Sequence, residues 1–168
     1  MSYTINITEQ AVEIYEGQPI PSKYYGAFVS TQDQTNAASV NKMTYNVTDL
    51  SSGVSIVSNS QITIANGGIY NIQFSAQFDK GDSGDDVVNI WLCKNGSPVA
   101  NSNTQMTLVG NNGKHVAAWN FFVSASAGDH FELCWYSPDS AVFINYVAAA
   151  TNPVRPAIPS VILTVTQI

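Results

Sequence analysis

The chain has 168 residues and a mass of 18.1 kDa, which suits one domain of roughly 100–200 residues. Charged residues make up only 11% of it, against about 25% in an average protein, while 55 residues are Ser, Thr, Asn or Gln. Such a composition excludes a coiled coil, a charged helical bundle and a charge-driven disordered chain. Because the six Lys and Arg residues are scattered and outnumbered by twelve acids, we expect neither nucleic acid nor an anionic membrane as a partner.

The first 23 residues differ from the rest of the chain. Glu16–Ser22 is a turn-rich connector in which Pro19 and Pro21 cannot donate to a central ladder. We therefore predict an N-terminal arm or edge segment over 1–23 and a main domain over 24–168. The opening residues lack the charged and apolar regions of a secretory signal, which predicts synthesis in a cytosol. The alternating apolar residues of the arm are Tyr3, Ile5, Ile7, Val12, Ile14 and Tyr15.

From residue 24 onward, short segments of alternating polarity are separated by turn residues. Gly68–Phe78 is the clearest, because every second residue from Tyr70 to Phe78 is apolar. Nine other segments are predicted strands: Tyr25–Ser30, Lys42–Val47, Gln61–Ala65, Val87–Lys94, Thr104–Val109, Val116–Ser124, His130–Tyr136, Ala141–Val147 and Val161–Thr166. Turn pairs such as Asn95-Gly96 and Gly128-Asp129 punctuate them. This organisation predicts an all-β fold, an antiparallel sandwich or jelly roll.

Some of these segments are apolar on both faces of the predicted strand. Val116–Ser124, Ala141–Val147 and Val161–Val165 have this character. One face would fill the core, and the other would either meet another subunit or be covered by loops of the same chain. We favour the subunit interface, because the segments lie close together late in the chain.

Few residues have the spacing of a catalytic or metal site. Neither His115 nor His130 belongs to a metal-binding motif, and no nucleophile elbow, phosphate-binding loop or strand-interior glutamate pair occurs. We therefore expect a protein without enzymatic activity. The one dense group of carboxylates is Asp79, Asp82, Asp85 and Asp86, whose oxygens are the ligand type that calcium prefers. Because the spacing is not that of an EF-hand, a solvated acidic turn is the favoured interpretation and a calcium loop the alternative.

Several of the predicted strands resemble a known superfamily in their order and motifs. The pieces are Gly26-Ala-Phe-Val29, Met43–Val47, Gly68-Ile-Tyr-Asn-Ile72, Val88–Gly96 and Val123–Asp129 leading into Phe131-Glu-Leu133. Across 24–168 the chain resembles the jelly-roll superfamily of the complement 1q globular head and tumour necrosis factor. The resemblance implies a ten-stranded jelly roll that assembles as a homotrimer.

The resemblance also assigns roles to individual positions. It implies that Trp119, Phe121 and Val123 point into the core. The implied trimer-interface residues are Ala118, Asn120, Phe122, Ile162 and Thr164. It further places Cys93 and Cys134 on the outer face of neighbouring strands, either as two free thiols, which we favour for a cytosol-made protein, or as a disulfide.

The uncharged, Asn/Thr/Ser-rich composition and the lack of a collagen-like or heptad stalk resemble bacteriophage structural proteins that carry this jelly roll. We therefore expect a capsid decoration (cement) protein on the virion surface, with the major capsid protein as partner and the arm as its clamp. The alternative is the head of a phage tail or head fibre that binds a host surface glycan or receptor.

Overall fold

A computed structural model describes residues 24–168, so the predicted arm, with Tyr3, Ile5, Ile7, Val12, Ile14 and Tyr15, lies outside the described residues. Over 24–168, no helix is long and apolar enough to cross a membrane. The strands, in chain order, are β1 (Tyr25–Ser30), β2 (Gln34–Thr35), β3 (Asn41–Lys42), β4 (Val47–Ser52), β5 (Val54–Val57), β6 (Gln61–Ile64), β7 (Gly68–Lys80), β8 (Asp86–Lys94), β9 (Ser97–Pro98), β10 (Thr104–Leu108), β11 (His115–Ala125), β12 (His130–Tyr136), β13 (Val142–Ile144), β14 (Ala150–Thr151), β15 (Val154–Arg155) and β16 (Val161–Gln167).

Two antiparallel sheets form a jelly-roll sandwich, as the alternation predicts. The first sheet runs β4-β1-β16-β7-β11, and β13 and β2 extend it where β7 continues past β16. The second sheet runs β5-β6-β12-β8-β10, with β3 beside β12 and β9 beside β8. Ten of the strands in residues 24–168 have four or more residues, and eight of these ten correspond to predicted segments.

The inward-facing side chains of both sheets form one hydrophobic core. Val88, Ile90 and Leu92 of β8 are fully buried, as are the inward residues of β12. Trp135 of β12 meets Phe78 of β7 edge to face, with ring centroids 5.4 Å apart, so an aromatic pair joins the two sheets. Each fully buried apolar side chain of this size stabilises the fold by about 1.5–3 kcal/mol.

Turn chemistry sets several strand boundaries where the sequence places them. β1 and β12 have the predicted bounds. The hairpin from β8 to β9 turns on Asn95 and Gly96, whose φ values are +51° and +81°. Two successive positive φ values match the right-handed twist of the flanking strands, and Asn-Gly is the pair that adopts them most readily.

The predicted strand Lys42–Val47 is wrong. β3 ends at Lys42, β4 begins at Val47, and residues 43–46 belong to no strand. The reason is that β3 pairs with β12 in the second sheet whereas β4 pairs with β1 in the first. The intervening residues cross between sheets, and Met43 and Tyr45 are buried in the core on the way. The alternation of apolar and polar residues here therefore reflects the burial of a segment that crosses between the sheets, and it does not indicate a strand.

Two further boundaries differ from the predictions. The segment predicted over Ala141–Val147 contains only β13, because the backbone leaves the ladder soon after it. The Asn145 amide still donates to the Gln77 carbonyl of β7 at 2.7 Å, but the Tyr146 amide donates to the Asp33 carboxylate at 2.7 Å, so the ladder ends there. β5 was not predicted, because Val54–Val57 follows a serine-rich stretch without a distinct turn signal.

Candidate functional site

The outward side chains of β11, β7 and β16 form one continuous surface, which we call the open face. The strands are in register, so the side chains lie in rows across the sheet. Ala118 pairs with Ser75 and Ser75 with Ile162; Asn120 pairs with Gln73 and Gln73 with Thr164. The open face consists of the outward residues Val116, Ala118, Asn120, Phe122 and Ser124 of β11, Ile69, Asn71, Gln73, Ser75 and Gln77 of β7, and Ile162, Thr164 and Thr166 of β16. It ends at the next outward position of β7, Asp79, which is buried and paired with Lys114.

The open face is apolar and amide-rich, and none of its outward residues is charged. Phe122 is 65% exposed, Val116 53% and Ile162 40%. The Asn120 side-chain NH₂ group donates to the Asn71 side-chain oxygen at 2.9 Å, so these two polar groups of the open face are already paired within the chain. Removing such a surface from water buries no charge. Burying an unpaired charge is one of the largest costs of forming a protein–protein contact, so this surface avoids it.

All five predicted trimer-interface residues lie on the open face. Ala118, Ile162 and Thr164 line one shallow depression together with Gln73 and Ser75. Asn120 and Phe122 follow Ala118 along β11, and both are exposed. Trp119, Phe121 and Val123 point the other way and pack against the core, as the resemblance implies. The face also includes Ile69 and Val116, which sequence reasoning did not single out although both lie in segments of alternating polarity.

The second sheet has a covered outer face around β12. Glu132 and Cys134 of β12 and Cys93 of β8 point outward yet are buried. The Lys42 ammonium lies 2.9 Å from the Glu132 carboxylate, and the Ser60 hydroxyl donates to the same carboxylate at 2.9 Å. The hydrogen bond to Glu132 is the main reason that the pKa of Lys42 is raised above its ordinary value.

Both cysteines are free thiols on neighbouring strands. Cys93 lies opposite Glu132, and Cys134 lies opposite Trp91, so the two thiols are diagonal neighbours on one face. Burial, the adjacent Cys93 thiol and the charge of Glu132 raise the pKa of the Cys134 thiol well above its usual range. A raised pKa disfavours the thiolate, which is the reactive form of cysteine.

The four predicted calcium ligands do not come together in the structure. Asp79 is buried at the end of β7, where its carboxylate accepts hydrogen bonds from the Lys114 ammonium, from Asn145 at 2.9 Å and from the Lys80 amide at 2.8 Å. Asp85 accepts a hydrogen bond from the Gly110 amide at 2.8 Å. These two carboxylates are therefore occupied by separate donors of the chain.

Asp82 and Asp86 instead form a group with Asp139, whose carboxylate oxygens lie within 4.8 Å of one another. The buried Lys80 ammonium lies 2.7 Å from Asp86 and 3.8 Å from Asp82, and it donates to the Gly84 carbonyl. Burial lowers the pKa of this ammonium, but the hydrogen bond to Asp86 and the charges of Asp86, Asp82 and Asp85 outweigh burial, so the pKa is raised. Lys80 thus supplies a counter-charge to these carboxylates, and the alternative of a calcium loop stays untested. Asp139 was missed because it lies far along the chain, in the Pro138-Asp139 turn.

The histidines open strands, as the sequence indicates. His115 begins β11 and is exposed, whereas His130 begins β12 and is half-buried. The His130 backbone amide donates to the Asn95 side-chain oxygen at 2.9 Å in the turn beside it.

Comparison with known proteins places the fold. No protein-family model matches the chain, and no curated protein matches it in sequence. Among 234 matching chains of known structure is a crystal structure of murine APRIL, a TNF-family protein, which covers 88% of this chain and 100% of its own at a TM-score of 0.55. The two sequences are 10% identical. The likeness therefore shows a shared architecture: the chain folds as a TNF-like jelly roll.

Proposed function

We propose that the protein is a non-enzymatic assembly module that forms a homotrimer through the open face and, as a trimer, decorates and stabilises a bacteriophage capsid. The observation that carries the first half is the open face itself. It presents Phe122, Val116 and Ile162 beside amide and hydroxyl groups, with no charged residue among its outward side chains. Exposed apolar side chains set among uncharged polar groups are typical of the interfaces between protein subunits.

The energetics favour association through this face. Burying an exposed Phe or Ile side chain contributes about 1.5–3 kcal/mol, and closing the face on a copy of itself multiplies that gain. Asn and Thr side chains at its centre can pair across subunits, which offsets the cost of removing them from water. The implied trimer of the TNF-like superfamily uses the corresponding surface, in line with this proposal.

The second half of the proposal, capsid decoration, rests on composition and on where the described domain begins. The Tyr24 carbonyl accepts a hydrogen bond from the Gln167 amide at 2.8 Å, so the preceding residues join the domain at the end of β16, beside the open face. Residues 1–23 would then act as the clamp on the major capsid protein. Modest contacts repeated over many sites would stabilise the shell through multivalency.

Light scattering on the purified protein tests the trimer. We expect a mass three times 18.1 kDa, and we expect Phe122→Asp to give a folded monomer because it places three carboxylates in the closed interface. Val40→Asp is the matched control, since Val40 is 59% exposed and directly precedes β3, which belongs to the second sheet. A wild-type monomer, or a trimer that Phe122→Asp leaves intact, would contradict the proposed interface.

Mixing the trimer with undecorated capsids tests the partner. We expect the wild-type trimer to coat the shells, and a variant lacking residues 1–22 to stay trimeric without coating them. A trimer that ignores shells but adheres to host cells would contradict decoration and support the fibre-head alternative.

A further inference from the structure

A second surface of the molecule has the character of a ligand site. On the outer side of the second sheet, a depression of about 370 Å³ lies between β8, the end of β12 and the loop that follows β9. This volume falls in the range of roughly 300–1,000 Å³ typical of small-molecule sites. The residues used in the argument are Asn89, Trp91, Pro98, Asn101, Asn103 and Tyr136.

Strand register brings two aromatic rings to this depression. Tyr136 of β12 lies opposite Asn89 of β8, and Cys134 lies opposite Trp91, so Trp91 and Tyr136 are diagonal neighbours on the same face. Both rings are half-buried, so each has one part anchored in the protein and another part open to the depression. Trp and Tyr combine a broad apolar face with a polar edge, which suits a ligand that is itself amphipathic.

The opposite wall is held in place by a buried serine. The Ser102 hydroxyl donates to the Val99 carbonyl at 2.7 Å and accepts from the Leu92 amide at 3.1 Å, while the Val99 amide donates to the Leu92 carbonyl at 2.8 Å. These bonds fasten the 99–103 loop to β8 and hold Asn101 and Asn103 at the rim. A wall fixed before binding loses little conformational entropy when a ligand arrives.

Three amides supply both donors and acceptors at the rim. The Asn89 side-chain oxygen accepts from Asn103 at 3.2 Å and from Gln105 at 3.4 Å, which orients the Asn89 NH₂ group and the Asn103 oxygen away from each other. Within residues 24–168, neither of these two groups has a hydrogen-bond partner. None of the lining residues is Asp, Glu, Lys or Arg, so the depression has no group that would select a charged ligand.

We propose that this depression binds a neutral saccharide, with one pyranose ring packed on Trp91 and Tyr136 and its hydroxyl groups paired with Asn89, Asn101 and Asn103. A pyranose has a C–H face that packs on aromatic rings and hydroxyls that both donate and accept, which matches the two walls. A nucleotide or an anionic sugar would lack a counter-charge here, and the net charge of −6 adds to that disadvantage. The inference goes beyond the proposed function, because the depression lies on the sheet opposite the open face and stays accessible in a trimer.

¹⁹F NMR of the 5-fluorotryptophan-labelled protein tests the site, because the chain has three Trp residues. We would titrate lactose, cellobiose, maltose and N,N′-diacetylchitobiose, with 3′-sialyllactose as the anionic counterpart of lactose. At least one neutral disaccharide should shift the Trp91 resonance. The Trp119 and Trp135 resonances should stay in place, since their indole N–H groups are buried. Absence of any Trp91 shift with the four neutral sugars, or equal or stronger binding of 3′-sialyllactose, would overturn the proposal.

Two variants that keep the Trp91 probe locate the site. Asn103→Ala should weaken binding roughly three- to tenfold by removing one hydrogen-bonding group, and Tyr136→Ala should weaken it about tenfold by removing one ring. Asn111→Ala makes the same change as Asn103→Ala at an exposed loop position outside the depression, and it should leave the affinity unchanged. Unchanged Trp119 and Trp135 resonances show that each variant is folded. Equal saccharide affinities in Asn103→Ala and Asn111→Ala would overturn the proposed site. This outcome is independent of whether light scattering shows a trimer.

Discussion

The outer faces of the two sheets contrast in how the chain treats them. On β11 of the first sheet, the outward Phe122 is 65% exposed, whereas on β12 of the second sheet the outward Glu132 and Cys134 are each 1% exposed. Both strands were predicted from the same kind of segment, with apolar or small residues at inward positions. The difference shows that the outward face of a strand has two outcomes. It is covered by other segments of the same chain, or it remains exposed and is free to bind another chain.

The cover on the second sheet is polar, and it supplies partners for the buried Glu132 carboxylate. Lys42, beside β12, and Ser60, which precedes β6, both bind the Glu132 carboxylate, and the buried thiols lie next to it. A buried carboxylate is tolerable only when such partners compensate it. The open face carries no charge and needs no compensation of this kind, so it can be desolvated against a partner. This contrast is what makes the open face, and not the covered one, suited to assembly.

The largest expected effect comes from placing a carboxylate on each face. Cys134→Asp would bury a second acid beside Glu132, with only Lys42, already paired with Glu132, as a cation for both. We expect a loss of about 4 kcal/mol or more, enough to prevent folding. Phe122→Asp changes an exposed side chain and should alter the stability of the folded monomer by less than about 0.5 kcal/mol. Circular dichroism and urea unfolding of the two variants measure this difference. Comparable stabilities would contradict the distinction between a covered and an open face.

A second, smaller effect tests the ion pair that holds the cover in place. Lys42→Met leaves the Glu132 carboxylate buried without its cation, and because Lys42 is 47% exposed we expect a loss of about 2 kcal/mol at neutral pH. The double variant Lys42→Met, Glu132→Met should recover most of this loss, since a well-packed apolar pair can replace a buried ion pair at little cost. Denaturant unfolding of the two variants provides the measurement. A double variant less stable than Lys42→Met would show that Glu132 has a further essential partner.

The smallest effect concerns the turn that joins the open strand β11 to the covered strand β12. The Asp129 carboxylate lies 2.8 Å from the Lys94 ammonium and accepts from Asn95 at 2.8 Å and from the Ser126 amide at 2.7 Å. The pKa of Asp129 is held well below its ordinary 3.8. The largest cause is the hydrogen bond from Lys94, and the next are those from Asn95 and Ser126. A lowered pKa means that this carboxylate stabilises the fold above pH 3.8 and loses that effect as the pH falls through the folded-state pKa.

Asp129→Asn should therefore destabilise the protein at pH 6. It should also lose less stability than the wild type when the pH is lowered from 6 to a value below 3.8. Urea midpoints at the two pH values, compared with wild type, measure this. Asp49→Asn, the same change at an exposed position of β4, is the matched control and should keep the wild-type difference. An acid sensitivity of Asp129→Asn equal to that of wild type would assign the acid dependence to other carboxylates.

Local sequence was sufficient for eight of the longer strands in residues 24–168, but not for β4, β5 or the crossing segment between β3 and β4. The two-residue alternation from Gly68 to Phe78 and the Asn95-Gly96 turn act over a few residues, so β7, the β8–β9 hairpin and the sandwich architecture could be predicted directly. The five trimer-interface residues that the resemblance implied are all exposed on one face, since alternation within a strand determines which side chains share a face. Their role in a trimer stays a prediction.

Two features were decided only by the tertiary structure. These are which outward faces of the strands remain exposed to solvent, and which Asp carboxylates lie close to one another. Whether β11 or β12 is covered depends on where the 41–46 crossing and the residue 58–60 turn lie relative to the sheets, and these are contacts between distant segments. For the same reason, Asp79 and Asp85 leave the group of four neighbouring carboxylates for donors on distant segments, Lys114 and Gly110. Asp82 and Asp86 stay together, and Asp139 joins them from more than fifty positions away. Alternation determines a strand and its two faces, whereas the partner of each face is a long-range contact that no local pattern encodes.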